Sequence, residues 1–221
     1  MFFPLYSILY TAMAVLFFII AWRLDQSYKK SHSLFSRYFR NTTFFVGIGF
    51  VIHIFVGIFF TNNSFALGVG NVLGEAFYYI GYIYLIASSF YMLFPRVSRK
   101  KVINIGLVFV ALSIVLHIKF FPYPFIDENG IFHYNARIIP GLIAFFFSVA
   151  ALLPLAFAFI REAFRREYLR MRSVLLSVSL ILFFIAVVMQ SLVSNPIYYG
   201  LSFVLEAVAS ISYFVGIIYK T

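Results

Sequence analysis

Seven apolar segments, separated by short polar connections, follow one another along the sequence and restrict it to one class of fold. A helix needs about 20 apolar residues to cross the hydrocarbon core of a bilayer, about 30 Å thick. The sequence therefore predicts an all-α integral membrane protein with seven transmembrane helices. The predicted spans are Phe3–Trp22, Thr42–Phe60, Phe65–Phe94, Val102–Phe121, Ile138–Ile160, Ser173–Val193 and Ile197–Tyr219.

The composition excludes a water-soluble domain. Apolar residues make up 63% of the chain and charged residues only 11%, whereas soluble domains carry roughly 25% charged residues. We therefore expect residues 1–221 to form a single domain whose main partner is the lipid bilayer, with no part of it binding nucleic acid. The chain has no cysteine, which rules out disulfides, thiolate catalysis and Cys-ligated metal.

The basic residues predict the orientation. Most of the 17 Lys and Arg residues lie in the connections after the first, third and fifth spans, Lys220 follows the seventh, and only Lys119 and Arg137 lie elsewhere. Basic loops tend to stay on the cytoplasmic side, so the sequence predicts an exterior N-terminus and a cytoplasmic C-terminus in the cell membrane. Within the first basic connection, Trp22–Arg40 is either an amphipathic helix at the lipid interface or a solvated loop.

The connection Pro122–Arg137 is the one sizeable loop on the predicted exterior side. Apolar residues flank Asn129 and Gly130, and an Asn-Gly pair between apolar stretches is typical of a β-hairpin. The hairpin is either a structural cap or a lid over an outward-facing cavity, and the cap is the simpler interpretation.

Two stretches of the chain correspond to each other and predict an internal repeat. Asn71, Glu75 and Tyr82 in the third span match Ser202, Glu206 and Tyr213 in the seventh, at the same spacing. Parallel repeats of three helices occur in several transporters. The predicted arrangement is 3+1+3, with repeats at 1–94 and 138–221 and a linker helix at 102–121.

This arrangement resembles the SWEET sugar transporters in topology and length. The resemblance implies an alternating-access permease, but the proline–glutamine pairs of the wider PQ-loop group are missing, because neither Gln26 nor Gln190 follows a proline. The seven-span sensor regions of bacterial histidine kinases are similar in topology as well.

Ionisable residues inside the spans are the candidates for function, because each costs at least ~2.5–3.5 kcal/mol to insert into hydrocarbon. They are Glu75, Glu206, His53 and, near a helix end, His117. At 1.5 Å per residue, all four fall in the exterior half of the membrane, so they could converge.

Helical spacing places polar partners on the face of each glutamate. Residues three, four or seven positions apart share one helix face, and the partners at these spacings are Asn71, Tyr79 and Tyr82 for Glu75, and Ser202, Ser210 and Tyr213 for Glu206. Such faces turn toward a bundle interior or a wet cavity. Two interpretations stay open. The carboxyls either form a proton- or cation-coupled site, since a desolvated carboxyl can exchange a proton near neutral pH, or act as neutral hydrogen-bonding groups between helices.

His53 and His117 could in principle ligate a haem from two helices. Both lie on otherwise ordinary apolar helices, so hydrogen-bonded interior histidines are the better interpretation and no cofactor is predicted.

The sequence is most consistent with a small-solute transporter or permease whose ligand- or ion-binding residues are drawn from the following set: Glu75, Glu206, Asn71, Tyr82, Ser202, Tyr213 and His53. The alternative is a ligand-sensing seven-helix module, or a membrane subunit of a larger complex that docks through the basic loop Arg161–Arg172. Nothing in the sequence identifies an enzyme, although an intramembrane enzyme acting on lipid is a third interpretation.

Overall fold

The computed structural model describes residues 5–134, 138–192 and 196–218. Within them, seven helices are long and apolar enough to cross a membrane, which confirms the prediction of an all-α, multi-pass membrane architecture. A two-stranded hairpin and a short 3-10 helix (Glu167–Leu169) complete the fold. The elements are α1 (Leu5–Ser31), α2 (Leu34–Phe59), α3 (Ser64–Leu93), α4 (Arg99–Lys119), β1 (Phe125–Ile126), β2 (Phe132–His133), α5 (Ile138–Arg165), α6 (Arg170–Leu192) and α7 (Pro196–Ile218).

The first connection differs from both interpretations of Trp22–Arg40. It is neither a separate interfacial helix nor a loop, because α1 continues to Ser31 and α2 begins at Leu34. The backbone turns at His32, whose φ of 50° lies in the left-handed region. Asp25 connects the polar end of α1 to the start of α2. Its carboxylate pairs with Arg40 of α2 at 2.7 Å and with Lys29 of α1 at 2.7 Å.

Local signals in the sequence set several helix ends. The Asn63 side chain accepts a hydrogen bond from the Ala66 amide at 3.0 Å and caps α3, as an N-cap residue does. Pro196 begins α7, where its missing amide hydrogen costs nothing. The predicted turn before it, at Ser194 and Asn195, lies outside the described residues, as do Phe3, Arg137 and Lys220.

Six of the helices form a closed ring. Following the ring, α1 packs on α2, α2 on α3, α3 on α5, α5 on α6, α6 on α7, and α7 again on α1, while α4 packs against α3 and α5 from outside. Between α2 and α3 the Thr42 hydroxyl donates to the carbonyl oxygen of Gly81 at 3.1 Å. Large side chains such as Tyr6, Tyr10 and Phe39 fill the interior.

The predicted hairpin is present and its residues pack into one end of the ring. Phe125 pairs with His133 and Ile126 with Phe132 in antiparallel register, and the turn uses Gly130 at a φ of 73°, a conformation that favours glycine. The Phe132 ring is buried against Tyr6 of α1. The hairpin therefore belongs to the packed core and positions the residues that follow β2.

Candidate functional site

A cavity of about 90 Å³ lies inside the ring, and most of the polar residues predicted for the site line it. Asn71, Glu75 and Tyr82 reach it from α3, and Glu206 and Tyr213 reach it from α7. Since a water molecule occupies about 30 Å³ in the liquid, the cavity has room for roughly three waters or for a solute of a few non-hydrogen atoms. Two of the three matched pairs, Glu75 with Glu206 and Tyr82 with Tyr213, thus face the same space.

Glu206 is the most enclosed of the charged side chains at the cavity, with 6% of its surface exposed. Its Oε1 accepts a hydrogen bond from Nε2 of Gln190 on α6 at 3.0 Å. Its other oxygen, Oε2, is buried and has no hydrogen-bond partner among the described residues. A buried carboxyl oxygen without a hydrogen-bond partner is unfavourable by itself. A proton on this oxygen, or a ligand that donates a hydrogen bond to it, would remove that cost.

Glu75 is half-buried and lines the cavity from α3. The Tyr79 side chain lies beside its carboxyl, and Tyr82 lies nearby, next to Ser148 of α5. Glu75 and Glu206 are close enough to interact electrostatically. The cavity therefore holds two carboxyls, and none of its described lining residues is lysine or arginine.

Tyr213 presents a second unpartnered group to the cavity. Its side chain is 3% exposed, and its hydroxyl has no hydrogen-bond partner among the described residues. The ring stacks on Phe17 of α1 at 5.8 Å and on Phe39 of α2 at 6.1 Å between ring centroids. Packing fixes the ring while the hydroxyl stays available.

The serines predicted to share the face of Glu206 do not contact its carboxyl. The Ser202 hydroxyl donates to the carbonyl oxygen of Tyr199 at 2.7 Å, and Ser202 is not part of the cavity lining. The Ser210 hydroxyl donates to the backbone carbonyl oxygen of Glu206 at 2.8 Å. Serine hydroxyls inside helices commonly bond to the preceding turn in this way. Because both hydroxyls are used for backbone hydrogen bonds, neither serine contributes to the site.

His53 lies behind the cavity wall rather than in it. Its imidazole is fully buried, and Nδ1 lies 2.9 Å from the carbonyl oxygen of Gly49, so this nitrogen is the donor. Nε2 is then an acceptor. It lies 3.4 Å from the side-chain amide of Asn71, a residue of the cavity lining, and the NH2 group of that amide donates to it when the amide is turned so that its nitrogen faces the ring. His53 therefore packs against Asn71 from α2 and stacks on Tyr78 at 5.5 Å between ring centroids.

His117 reaches the cavity from α4. Its Nδ1 donates to the carbonyl oxygen of Ser113 at 2.8 Å, and its Nε2 accepts from the Tyr79 hydroxyl at 3.4 Å. In both histidines considered for haem, each ring nitrogen therefore faces a protein group. Within residues 5–134, 138–192 and 196–218, no three His, Cys, Asp or Glu side chains come together as metal ligands.

Several polar residues that line the cavity are missing from the sequence-based set, and two of them, Gln190 and Tyr134, form hydrogen bonds at the site. Gln190 bonds to Glu206 from the neighbouring helix, and Tyr134, which follows β2, lines the cavity and bonds to Tyr10 through their hydroxyls at 2.5 Å. Gln190 carries a usable signal, because a lone amide in an apolar span needs an internal partner. Tyr134 carries none, because a loop residue is not expected inside a bundle.

Comparison with protein-family models, with curated proteins and with solved structures finds no match for the chain.

Proposed function

We propose that the protein is a small-solute transporter or permease of the cell membrane, with the central cavity as its binding site. Glu75 and Glu206 are its substrate or coupling groups, and Tyr82 and Tyr213 are their partners. The observation that carries the proposal is the placement of both carboxyls on one cavity inside a ring of six apolar helices.

The chemistry of two adjacent carboxyls favours an exchangeable positive charge. Two negative charges repel strongly where water is scarce, so a proton or a bound cation would neutralise one of the two carboxyls, Glu75 or Glu206, rather than leave both ionised. Neutral carboxyls acting only as hydrogen-bonding groups between helices would pair all their oxygens, whereas Oε2 of Glu206 has no partner among the described residues. This unpaired oxygen favours a site over a purely structural role.

The order of helix packing supports the proposed 3+1+3 repeat. With α1 matched to α5, α2 to α6 and α3 to α7, every contact of the ring corresponds to another: α1–α2 to α5–α6, α2–α3 to α6–α7, and α3–α5 to α7–α1. Repeats at 1–94 and 138–221, joined by the linker helix 102–121, would then enclose the cavity between them. Alternating access by rocking of two such units about a central site is the usual transporter mechanism.

The proposed orientation has the N-terminus outside and the C-terminus in the cytoplasm. It depends on the basic connections after α1, α3 and α5 and on the tendency of such loops to remain cytoplasmic. The β1–β2 hairpin then covers the exterior end of the ring, and Tyr134 extends from it to the cavity. The hairpin would act as the exterior gate.

The test is proton-coupled flux in proteoliposomes containing the purified protein and an internal pH-sensitive dye. We expect a pH gradient to dissipate faster with the wild type than in empty vesicles, and Glu206→Gln to abolish this difference while the protein elutes normally in size-exclusion chromatography. Glu128→Gln, the same change on the exposed hairpin turn, is the matched control and should behave as the wild type. Unchanged flux in Glu206→Gln would rule out the assignment.

A second candidate, a ligand-sensing module or subunit of a larger complex, is favoured by one surface. Phe164, at the end of α5, is 81% exposed, and Tyr168, in the 3-10 helix that follows, is 62% exposed. Both lie within the basic segment Arg161–Arg172. Aromatic and arginine side chains are enriched at protein interfaces. Recovery of one protein in fixed stoichiometry from the native membrane, lost with Phe164→Ser, would favour this candidate, and recovery of the chain alone would favour the transporter.

A further inference from the structure

The cavity combines negative charge with aromatic walls. Glu75 and Glu206 supply the carboxyls, and the described lining includes the rings of Tyr78, Tyr82 and Phe183. The face of an aromatic ring attracts a cation, most strongly where water is excluded. A pocket of this composition gives a positively charged ligand both a carboxylate counter-charge and aromatic ring faces that attract it.

The size of the cavity and its unpaired hydrogen-bonding groups restrict the kind of cation that fits it. Oε2 of Glu206 and the hydroxyl of Tyr213 are buried and have no hydrogen-bond partner among the described residues, so a ligand that donates a hydrogen bond to Oε2 would satisfy a buried acceptor. Carbon–hydrogen groups of the ligand gain from the rings, whereas a bare metal ion would need several oxygen ligands at once. About 90 Å³ suits a ligand of a few non-hydrogen atoms.

We infer that the solute recognised by this cavity is a small organic ammonium ion, held between the Glu206 carboxylate and the tyrosine rings. This inference rests on the proposed function, because it names the substrate class of the same site. The ammonium hydrogens donate to Oε2 of Glu206, and the methyl or methylene groups lie against rings such as that of Tyr82.

The test is equilibrium binding of radiolabelled methylammonium to the purified protein in lipid nanodiscs at neutral pH. Binding is preferred to flux here because methylamine crosses bilayers in its neutral form. We expect saturable binding that unlabelled dimethylammonium displaces and that sodium or ethanol, a neutral molecule of similar size, does not. Displacement by sodium or ethanol as effective as that by dimethylammonium, or no saturable binding, would overturn the inference.

Matched variants separate the two contributions. Glu206→Gln should weaken binding at least tenfold, and Glu128→Gln should leave it unchanged. Tyr82→Leu should weaken it about two- to thirtyfold, the range expected for a cation–π contact, while Tyr82→Phe, which keeps the ring and loses only the hydroxyl, should weaken it less than the Leu variant does. Equal affinities for the Leu and Phe variants would overturn the role of the ring.

The binding assay in nanodiscs and the flux assay in proteoliposomes together distinguish failure of this inference from failure of the proposed function. Proton flux that depends on Glu206, without methylammonium binding, would leave the transporter standing and overturn the ammonium ligand. Methylammonium binding that depends on Glu206, without any flux, would uphold the ligand and favour the sensing module.

Discussion

The contact between Tyr10 and Tyr134 is a buried polar attachment of the hairpin segment to the ring, and its removal has a calculable effect. Their hydroxyls lie 2.5 Å apart, and the two side chains are 1% and 6% exposed. In Tyr134→Phe the bond is lost and the Tyr10 hydroxyl is left buried without that partner. An orphaned buried polar group costs about 1–3 kcal/mol, so the closed hairpin should lose this much relative to an open one.

This free energy corresponds to a rise of about five- to more than a hundredfold in the opening equilibrium of the hairpin, since about 1.4 kcal/mol equals a factor of ten. Hydrogen exchange followed by mass spectrometry measures it. The amides of Asp127 and Gly130, both hydrogen-bonded within the hairpin, should exchange faster by that factor, while amides in the middle of α3 should not change. Tyr198→Phe, on an exposed tyrosine of α7, is the control.

A double variant provides the sharper test. In Tyr10→Phe/Tyr134→Phe neither hydroxyl remains, so no group is orphaned, and removing both partners of a buried bond can be nearly neutral. We therefore expect the double variant to open less often than Tyr134→Phe alone. Exchange rates in Tyr134→Phe within twofold of the wild type, or additive effects in the double variant, would refute the reasoning.

Two further predictions concern packing and pH. A methyl group at Gly74 would collide with the imidazole of His53, so Gly74→Ala should lower the free energy of unfolding by about 1–3 kcal/mol. Gly200→Ala is the control and should be neutral or slightly stabilising, because the nearest atom to a methyl group there lies 3.8 Å away. Titration with a denaturing detergent measures both changes. In the hairpin, burial alone would raise the pKa of Asp127, but hydrogen bonds from His133 and from neighbouring backbone amides outweigh it and hold that pKa below its ordinary value. Its stabilising effect is therefore complete above the ordinary aspartate range near pH 4 and is lost as the pH falls through the depressed value. Hairpin exchange, corrected for intrinsic rates, should rise on acidification in the wild type and should lack this rise in Asp127→Asn; the same rise in both would contradict the assignment.

The sequence predicted the helices and the hairpin because each depends on local chemistry. Apolar length determines a span, and an Asn-Gly pair such as Asn129 and Gly130 determines a tight turn. The helix ends were less predictable. The polar end of α1, which runs to Ser31, carries Asp25, and Asp25 pairs with Arg40 of the next helix, a contact that the sequence of one segment does not reveal. The order of the ring was not predictable either, since close approaches such as Gly74 on His53 are set between helices.

For the candidate site as well, features within one helix were predictable from the sequence and contacts between helices were not. The spacing of Asn71, Glu75 and Tyr82 along α3 is a property of one helix, and the structure places these residues on a common cavity with Glu206. The partner of Glu206 is Gln190, which lies on another helix, and spacing within α7 pointed instead to serines. Those hydroxyls bond to their own backbone, a competition that sequence spacing does not resolve.

The position of α4 outside the ring has a consequence for how such a chain can be assembled. Of its 21 residues, only Val110, Ser113 and His117 are buried. In the proposed 3+1+3 arrangement, two units of three helices that run in the same direction need one extra crossing to return the chain to its starting side, and α4 would supply it. Most of α4 would then be a tether whose exposed sequence is free to vary, and only the strip that carries His117 to Tyr79 would be constrained by the other helices.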